Sequence, residues 1–153
     1  SFYTFYKMML MTHIERFCSI YRDLTKISSN DLRIIYTEDV EFIDPIQRHK
    51  GRDSVEAYFS KLNENARSCK FDITNTIPCD TNKDGVTAVL TWHMTLELNK
   101  PRKTIHLDGT TLLKEGASGF HYHRDYYDLG EMVYEHVPVV GWLVKKIKRK
   151  LAQ

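Results

Sequence analysis

The sequence predicts an α+β fold: a cone-shaped, curved antiparallel sheet covered by three N-terminal helices, with an extra helical segment at the C-terminus. Three observations predict it. Apolar residues recur at helical spacing up to about Ala66, and four long β-rich segments then follow one another with only turn formers between them. The last stretch returns to a helical pattern, now strongly basic. Runs of helix followed by runs of strand lead to helices packed on one face of an antiparallel sheet.

In chain order, Ile14, Phe17, Tyr21 and Leu24 set the apolar stripe of a first helix expected from about Thr4 to Leu24. Ser28 followed by Asp31 is a capping signal for a short second helix, whose buried stripe is Leu32, Ile35 and Tyr36. The third helix is the clearest: Asp53 and Glu56 mark its start, and Val55, Tyr58, Phe59, Leu62 and Ala66 follow the i, i+3, i+4, i+7, i+11 pattern. Between the second and third helices, "VEFIDP" reads as a short strand stopped by Pro45, which removes a ladder donor. The four later strands are "CKFDITNTI", "GVTAVLTWHMTLEL", "KTIHLDGTTLLKE" and "GFHYHRDYYD", joined as a meander by turns at Asn82–Gly85, Asn99–Pro101 and Gly116–Gly119. "LGEMVYEHVPVVGWLVKKIKRKLAQ" is expected to form two short helices divided around Pro138.

At 153 residues and 42% hydrophobic content the chain suits a single domain with a true core, centred on about residues 12–128 with an extension from about 129 to 153. The net charge is +2, but it is unevenly spread. Lys145, Lys146, Lys148, Arg149 and Lys150 carry five positive charges, so residues 1–144 hold 17 basic against 20 acidic groups, a charge of −3. A mildly acidic body argues against a nucleic-acid surface, which needs Lys and Arg clustered across one face. The three cysteines, Cys18, Cys69 and Cys79, form no C-x-x-C pair, which fits a reduced cytoplasmic setting. No run approaches the length of a membrane span.

The linking stretch "YTEDVEFIDPIQRHKGRDSVEAYFSKL" resembles the nuclear transport factor 2-like superfamily, in particular its SnoaL-like and ketosteroid isomerase-like members. Its marks are an aspartate-proline pair closing a short strand, a basic glycine turn at Lys50–Arg52, and an amphipathic helix. "TWHM" and "HRDYYD" are similar to an uncharacterised bacterial branch, and the resemblance spans about Ile14 to Asp128. It implies a sheet curled around an apolar pocket, plugged by helices and open at one end. It also implies that Asp44, in the aspartate-proline pair, stands where ketosteroid isomerase keeps its general base. Tyr21 is the candidate for that enzyme's first-helix tyrosine. The isomerase's late aspartic acid aligns with Thr110, with Asp108 two residues earlier, so a steroid-type oxyanion hole is not reproduced.

Alternate residues of a strand share a face, so His106, Asp108 and Thr110 form one row and His121, His123, Asp125 and Tyr127 another. A turn centred near Gly116 and Ala117 sets Asp108 opposite Asp125, and Thr110 opposite His123. The resemblance turns these rows toward the pocket, with Trp92, Met94, Phe59 and Leu62 as further lining. An enclosed carboxyl can hold or relay a proton, and His123 can move one at cellular pH. Asp44, Asp108, His123, Asp125 and Tyr21 are therefore the candidate catalytic residues, needing no cofactor and no metal. Two plainer readings stay open: a one-residue slip turns the polar row outward, and the Asp44 carboxylate serves only to cap the turn after Pro45. A metal chelate from His121 and His123 with His106 or Asp125 lacks a second spaced ligand pair and is not favoured.

The function expected is an acid–base isomerase, cyclase or epoxide-hydrolase-like enzyme acting on an apolar or amphiphilic, oxygen-bearing molecule. The alternative is a non-catalytic binding module. A homodimer through the open sheet face is the expected assembly. For the basic tail, docking of its apolar stripe on the domain or a partner subunit is preferred to contact with a membrane surface.

Overall fold

The computed structural model describes residues 2–133 and 138–153. The order is α1 (Phe2–Leu10), α2 (His13–Ile20), a 3-10 turn (Leu24–Lys26), α3 (Ser29–Ile35), β1 (Tyr36–Ile43), β2 (Arg48–Lys50), α4 (Arg52–Asn63), β3 (Ala66–Pro78), β4 (Ala88–Leu98), β5 (Lys103–Gly116), β6 (Gly119–Tyr127), α5 (Leu129–Met132) and α6 (Pro138–Leu151). The α+β architecture agrees with the sequence reading; several details differ.

The single N-terminal helix expected from about Thr4 to Leu24 is two helices. Thr12 breaks it by forming a capping box with Glu15, each side chain bonding the other's backbone N–H. Tyr21 falls just past α2 at its C-terminal cap, and Asp23 starts the 3-10 turn. The Ser28–Asp31 capping box of α3 forms as the sequence indicates. The third expected helix starts at Arg52, after Gly51 at φ 89°. At the C-terminus the division at Pro138 holds, with α6 beginning there; residues 134–137 lie outside the described residues.

The sheet has six strands in the order β2-β1-β6-β5-β4-β3. It is mixed rather than antiparallel, because β1 runs parallel to β6 while the other neighbours are antiparallel. That pairing joins segments some eighty residues apart, which no local pattern reveals. Register shifts within β1–β6, β3–β4 and β5–β6 bend the strands, so the sheet curls without closing. The helices cover its inner face. Phe17 of α2, Leu32 and Ile35 of α3, and Val55, Tyr58 and Phe59 of α4 share one core with Val40, Phe42, Leu90, Trp92, Leu107, Leu113 and Phe120 from the strands.

The β5–β6 hairpin sets the interior. Its turn is Ala117–Ser118, flanked by paired Gly116 and Gly119. Gly119 sits at φ 147°, and a Cβ there would lie 2.9 Å from the Ile35 carbonyl oxygen, so only glycine fits this crossing. A bulge follows immediately: Glu115 pairs with Phe120 but Lys114 pairs with Tyr122, leaving His121 as the extra residue.

Candidate active site

The turn position and the bulge together decide which β5 row faces inward. Asp125 stands opposite Thr111, His123 opposite Leu113, and Tyr127 opposite Gly109. The sequence reading placed Asp108 opposite Asp125, an offset of three residues, and an odd offset exchanges the two faces. The inward row of β5 is therefore Ile105, Leu107, Thr111 and Leu113, all buried. His106, Asp108 and Thr110, expected inside, point away from the core, and the Asp108 side chain is 88% exposed. On the outer face Asp108 Oδ1 meets His93 Nδ1 at 2.8 Å, and His93 Nε2 lies 3.2 Å from His106 Nδ1. His121, at the bulge, is exposed too. The imidazoles of the discounted chelate thus diverge, and no group of three or more His, Cys, Asp or Glu among the described residues is arranged to hold a metal ion.

On β6 the expected row does point inward: His123 is fully buried, Asp125 is 7% exposed, and Tyr127 lines the interior. Two chains of donors converge on Asp125. Trp92 Nε1, which can only donate, bonds Thr111 Oγ1 at 2.8 Å, so the Thr111 hydroxyl proton goes on to Asp125 Oδ1 at 2.5 Å. From the other side, the Tyr36 hydroxyl lies 2.7 Å from His123 Nδ1, and His123 Nε2 lies 2.7 Å from Asp125 Oδ1. Burial, then the nearby Asp125, pushes the Tyr36 phenol well above its ordinary range, so it keeps its proton. An ionised Asp125 can only accept, so His123 Nε2–H donates to it. The imidazole is wedged between rings, with Phe42 at 4.4 Å, Phe17 at 5.7 Å and Tyr21 at 5.8 Å between centroids.

All of these bonds go to Oδ1. Oδ2 of Asp125 has no hydrogen-bond partner among the described residues, and Asp125 lines a cavity of about 70 Å³ inside the cone. The wall is mainly apolar: Phe42, Phe59, Leu62, Trp92, Met94 and Leu107 contribute, with Met132 of α5. Polar groups reach it from Asp44, Tyr58, Tyr21, Tyr127 and Asn63. Among the described residues neither the Tyr21 nor the Tyr127 hydroxyl has a hydrogen-bond partner. Burial, followed by neighbouring groups that include Asp44 and Asp125, raises both phenols well above their ordinary range, so both remain O–H donors. Burial likewise pushes the Cys69 thiol up to about 12, leaving it an inert part of the wall.

Asp44 is committed elsewhere. Its Oδ1 accepts the backbone N–H groups of Ile46 and Gln47 at 2.8 and 2.9 Å, which is the turn cap that the plainer reading proposed. Its Oδ2 accepts the Tyr58 hydroxyl at 2.5 Å, and that phenol is raised by burial and then by Asp44 itself. The structure thus brings Asp44, Tyr21, Asp125, Tyr127, Trp92, Met94, Phe59 and Leu62 to one cavity, sets His123 directly behind Asp125, and leaves Asp108, His106 and Thr110 outside. Sequence reasoning missed Thr111, Tyr36, Tyr58 and Asn63. Thr111 carried a usable signal, because Ile105, Leu107, Thr111 and Leu113 form the more apolar row of their strand. Tyr36 had none beyond its place on an apolar stripe.

The α+β cone built on a curled, unclosed sheet agrees with what the comparisons find. The SnoaL-like domain model matches residues 19–119, and the chain belongs to that family. No curated protein matches it. Among solved structures it is similar to a hypothetical protein with a ketosteroid isomerase-like fold from Catenulispora acidiphila, solved with trimethylamine, at 14% identity over 78% of this chain and 87% of that one, TM-score 0.63. A nuclear transport factor 2-like protein of unknown function from Exiguobacterium matches at 13% identity over 77% and 99%, TM-score 0.63. A protein provisionally described as a SnoaL-like polyketide cyclase, from Jannaschia, matches at 16% identity over 76% and 85%, TM-score 0.61. At these identities the likeness is one of fold.

Proposed function

We propose that the protein is a cofactor-independent acid–base enzyme acting on an apolar, oxygen-bearing small molecule, by isomerisation, cyclisation or epoxide opening, with Asp125 as its base. The observation that carries this reading is the division of labour on one carboxylate: among the described residues every hydrogen bond to Asp125 falls on Oδ1, Oδ2 has no partner, and the residue lines the cavity. In this reading Oδ2 takes a proton from carbon beside a carbonyl and returns it to another position. The electron pair moves onto the substrate oxygen meanwhile, where the Tyr21 and Tyr127 hydroxyls donate to the developing charge. His123 positions the carboxylate and does not touch substrate. Asp44 holds Tyr58 and the rim of the cavity.

The second reading is a binding module without chemistry, and the size of the cavity bears on both readings alike. A cavity of about 70 Å³ holds roughly two waters, well short of the about 300 Å³ or more of ordinary ligand sites, so a substrate must displace lining side chains to enter.

Elimination of nitrobenzisoxazole, a generic probe for a carboxylate base in an apolar site, separates the readings. The enzyme reading expects turnover above buffer that falls about 100-fold or more in Asp125→Asn and less than tenfold in Asp44→Asn. Equal rates for wild type and Asp125→Asn would refute it. Mass spectrometry of molecules retained from a metabolite extract then gives the substrate class.

A further inference from the structure

The cone leaves α6 apart from this chemistry. Gly141, Val144 and Lys148, at i, i+3 and i+7, form the ridge turned toward the body: Gly141 is buried, Val144 packs over Gly130, and Lys148 Nζ bonds Asp128 Oδ2 at 2.7 Å. The opposite ridge carries Val139, Trp142, Leu143, Lys146, Ile147 and Lys150, at i, i+3, i+4, i+7, i+8 and i+11. Its apolar members are exposed, Val139 by 77% and Trp142 by 57%. Of the apolar stripe expected to dock on the domain or a partner subunit, Val144 meets the body, while Trp142, Leu143, Ile147 and Leu151 stand exposed on this chain.

We propose that this ridge of α6 rests on an anionic lipid surface, independently of the reaction proposed above. Exposed apolar side chains interleaved with cations are what an interfacial helix needs, the former entering the headgroup boundary and the latter pairing with phosphates. The charge suits an anionic surface: α6 contains five cations and no acid, and two of those cations, Lys146 and Lys150, lie on the exposed ridge itself. Trp142, with Lys146 Nζ 4.9 Å from its ring centroid, combines the aromatic and the cation found at bilayer interfaces. A symmetric pairing of two α6 helices fits the ridge less well, since it would bring ten cations together without a counter-charge.

The test uses the full chain with vesicles of phosphatidylcholine alone or mixed with phosphatidylglycerol. Trp142 is the reporter, because the other tryptophan, Trp92, is buried already. The expected result is a blue-shifted emission and co-sedimentation with the anionic vesicles only, weakening as salt rises. Each cation near such a surface is worth about fivefold in partitioning, so Lys146→Gln and Lys150→Gln together should lower binding roughly 25-fold. Trp142→Phe should abolish the blue shift while leaving co-sedimentation in place. Equal binding to neutral vesicles, no binding to either, or a Trp142 shift that depends on protein concentration without lipid would each overturn the proposal.

Discussion

Thr111→Val tests the register on which the interior depends. Valine nearly matches threonine in shape, so no cavity opens, and the cost comes from two broken bonds. Asp125 Oδ1 loses a 2.5 Å donor, and a hydrogen bond to a carboxylate is worth about 1.5–3 kcal/mol. The Trp92 N–H, 2.8 Å from Thr111 Oγ1, is left without a partner in the core, at about 1–3 kcal/mol. Allowing for partial relaxation, the expected loss is about 2–5 kcal/mol, a large share of the stability of an ordinary domain. Asp108→Ala is the matched control. It removes the bond to His93 on the outer face, where the carboxylate stands in water, and should cost less than about 1 kcal/mol. Equilibrium urea unfolding reads both, as a shift in midpoint with little change in slope. If Asp108→Ala costs more than Thr111→Val, the inward row has been assigned to the wrong face and the Asp125 network falls with it.

Gly109→Ala probes the same strand sterically. A Cβ there would lie 2.2 Å from Trp92 Cη2, so the indole must move, and we expect a loss of about 3 kcal/mol or more with altered near-ultraviolet circular dichroism from Trp92. Asp23→Asn should show a pH-dependent cost. Burial pulls this carboxyl's pKa upward, but bonds from the Thr25 hydroxyl and from the backbone of Cys69 and Thr25 outweigh it and hold the group below the usual range. A lowered carboxyl stabilises the fold at pH values above its unfolded pKa, and that contribution is lost as pH falls through the lower folded value. The variant should therefore be weaker by about 1 kcal/mol at neutral pH, a figure discounted for partial exposure, and the gap should close below about pH 4, as followed by thermal unfolding across pH.

The helices and strands were legible because their periods are local. Capping at Ser28 and Asp31 formed as read, and Trp92, Met94, Asp125 and Tyr127 reached the interior by simple alternation. Thr12 and Glu15 spelled a capping box too, yet the continuous apolar stripe masked the helix break they cause. The β5 face went wrong for a different reason. Register depends on where a hairpin turns and whether a residue bulges out, and His121 gives no sign of being the extra one. Apolarity alone would have chosen Ile105, Leu107 and Leu113 as the inner row; the polar residues opposite drew the assignment away. The parallel pairing of β1 with β6, which brings Tyr36 to His123, is a contact of tertiary origin and leaves no local trace.

One side chain belongs to both ends of this molecule's economy. Asp128 seats the first turn of α5 through the Glu131 N–H, and its other oxygen grips Lys148 of α6. The short helix it seats supplies Met132 to the wall of the chamber. A single aspartate is thus the shared rivet between what the tail leans on and what the chamber shuts behind, and loosening it must be felt in both places at once.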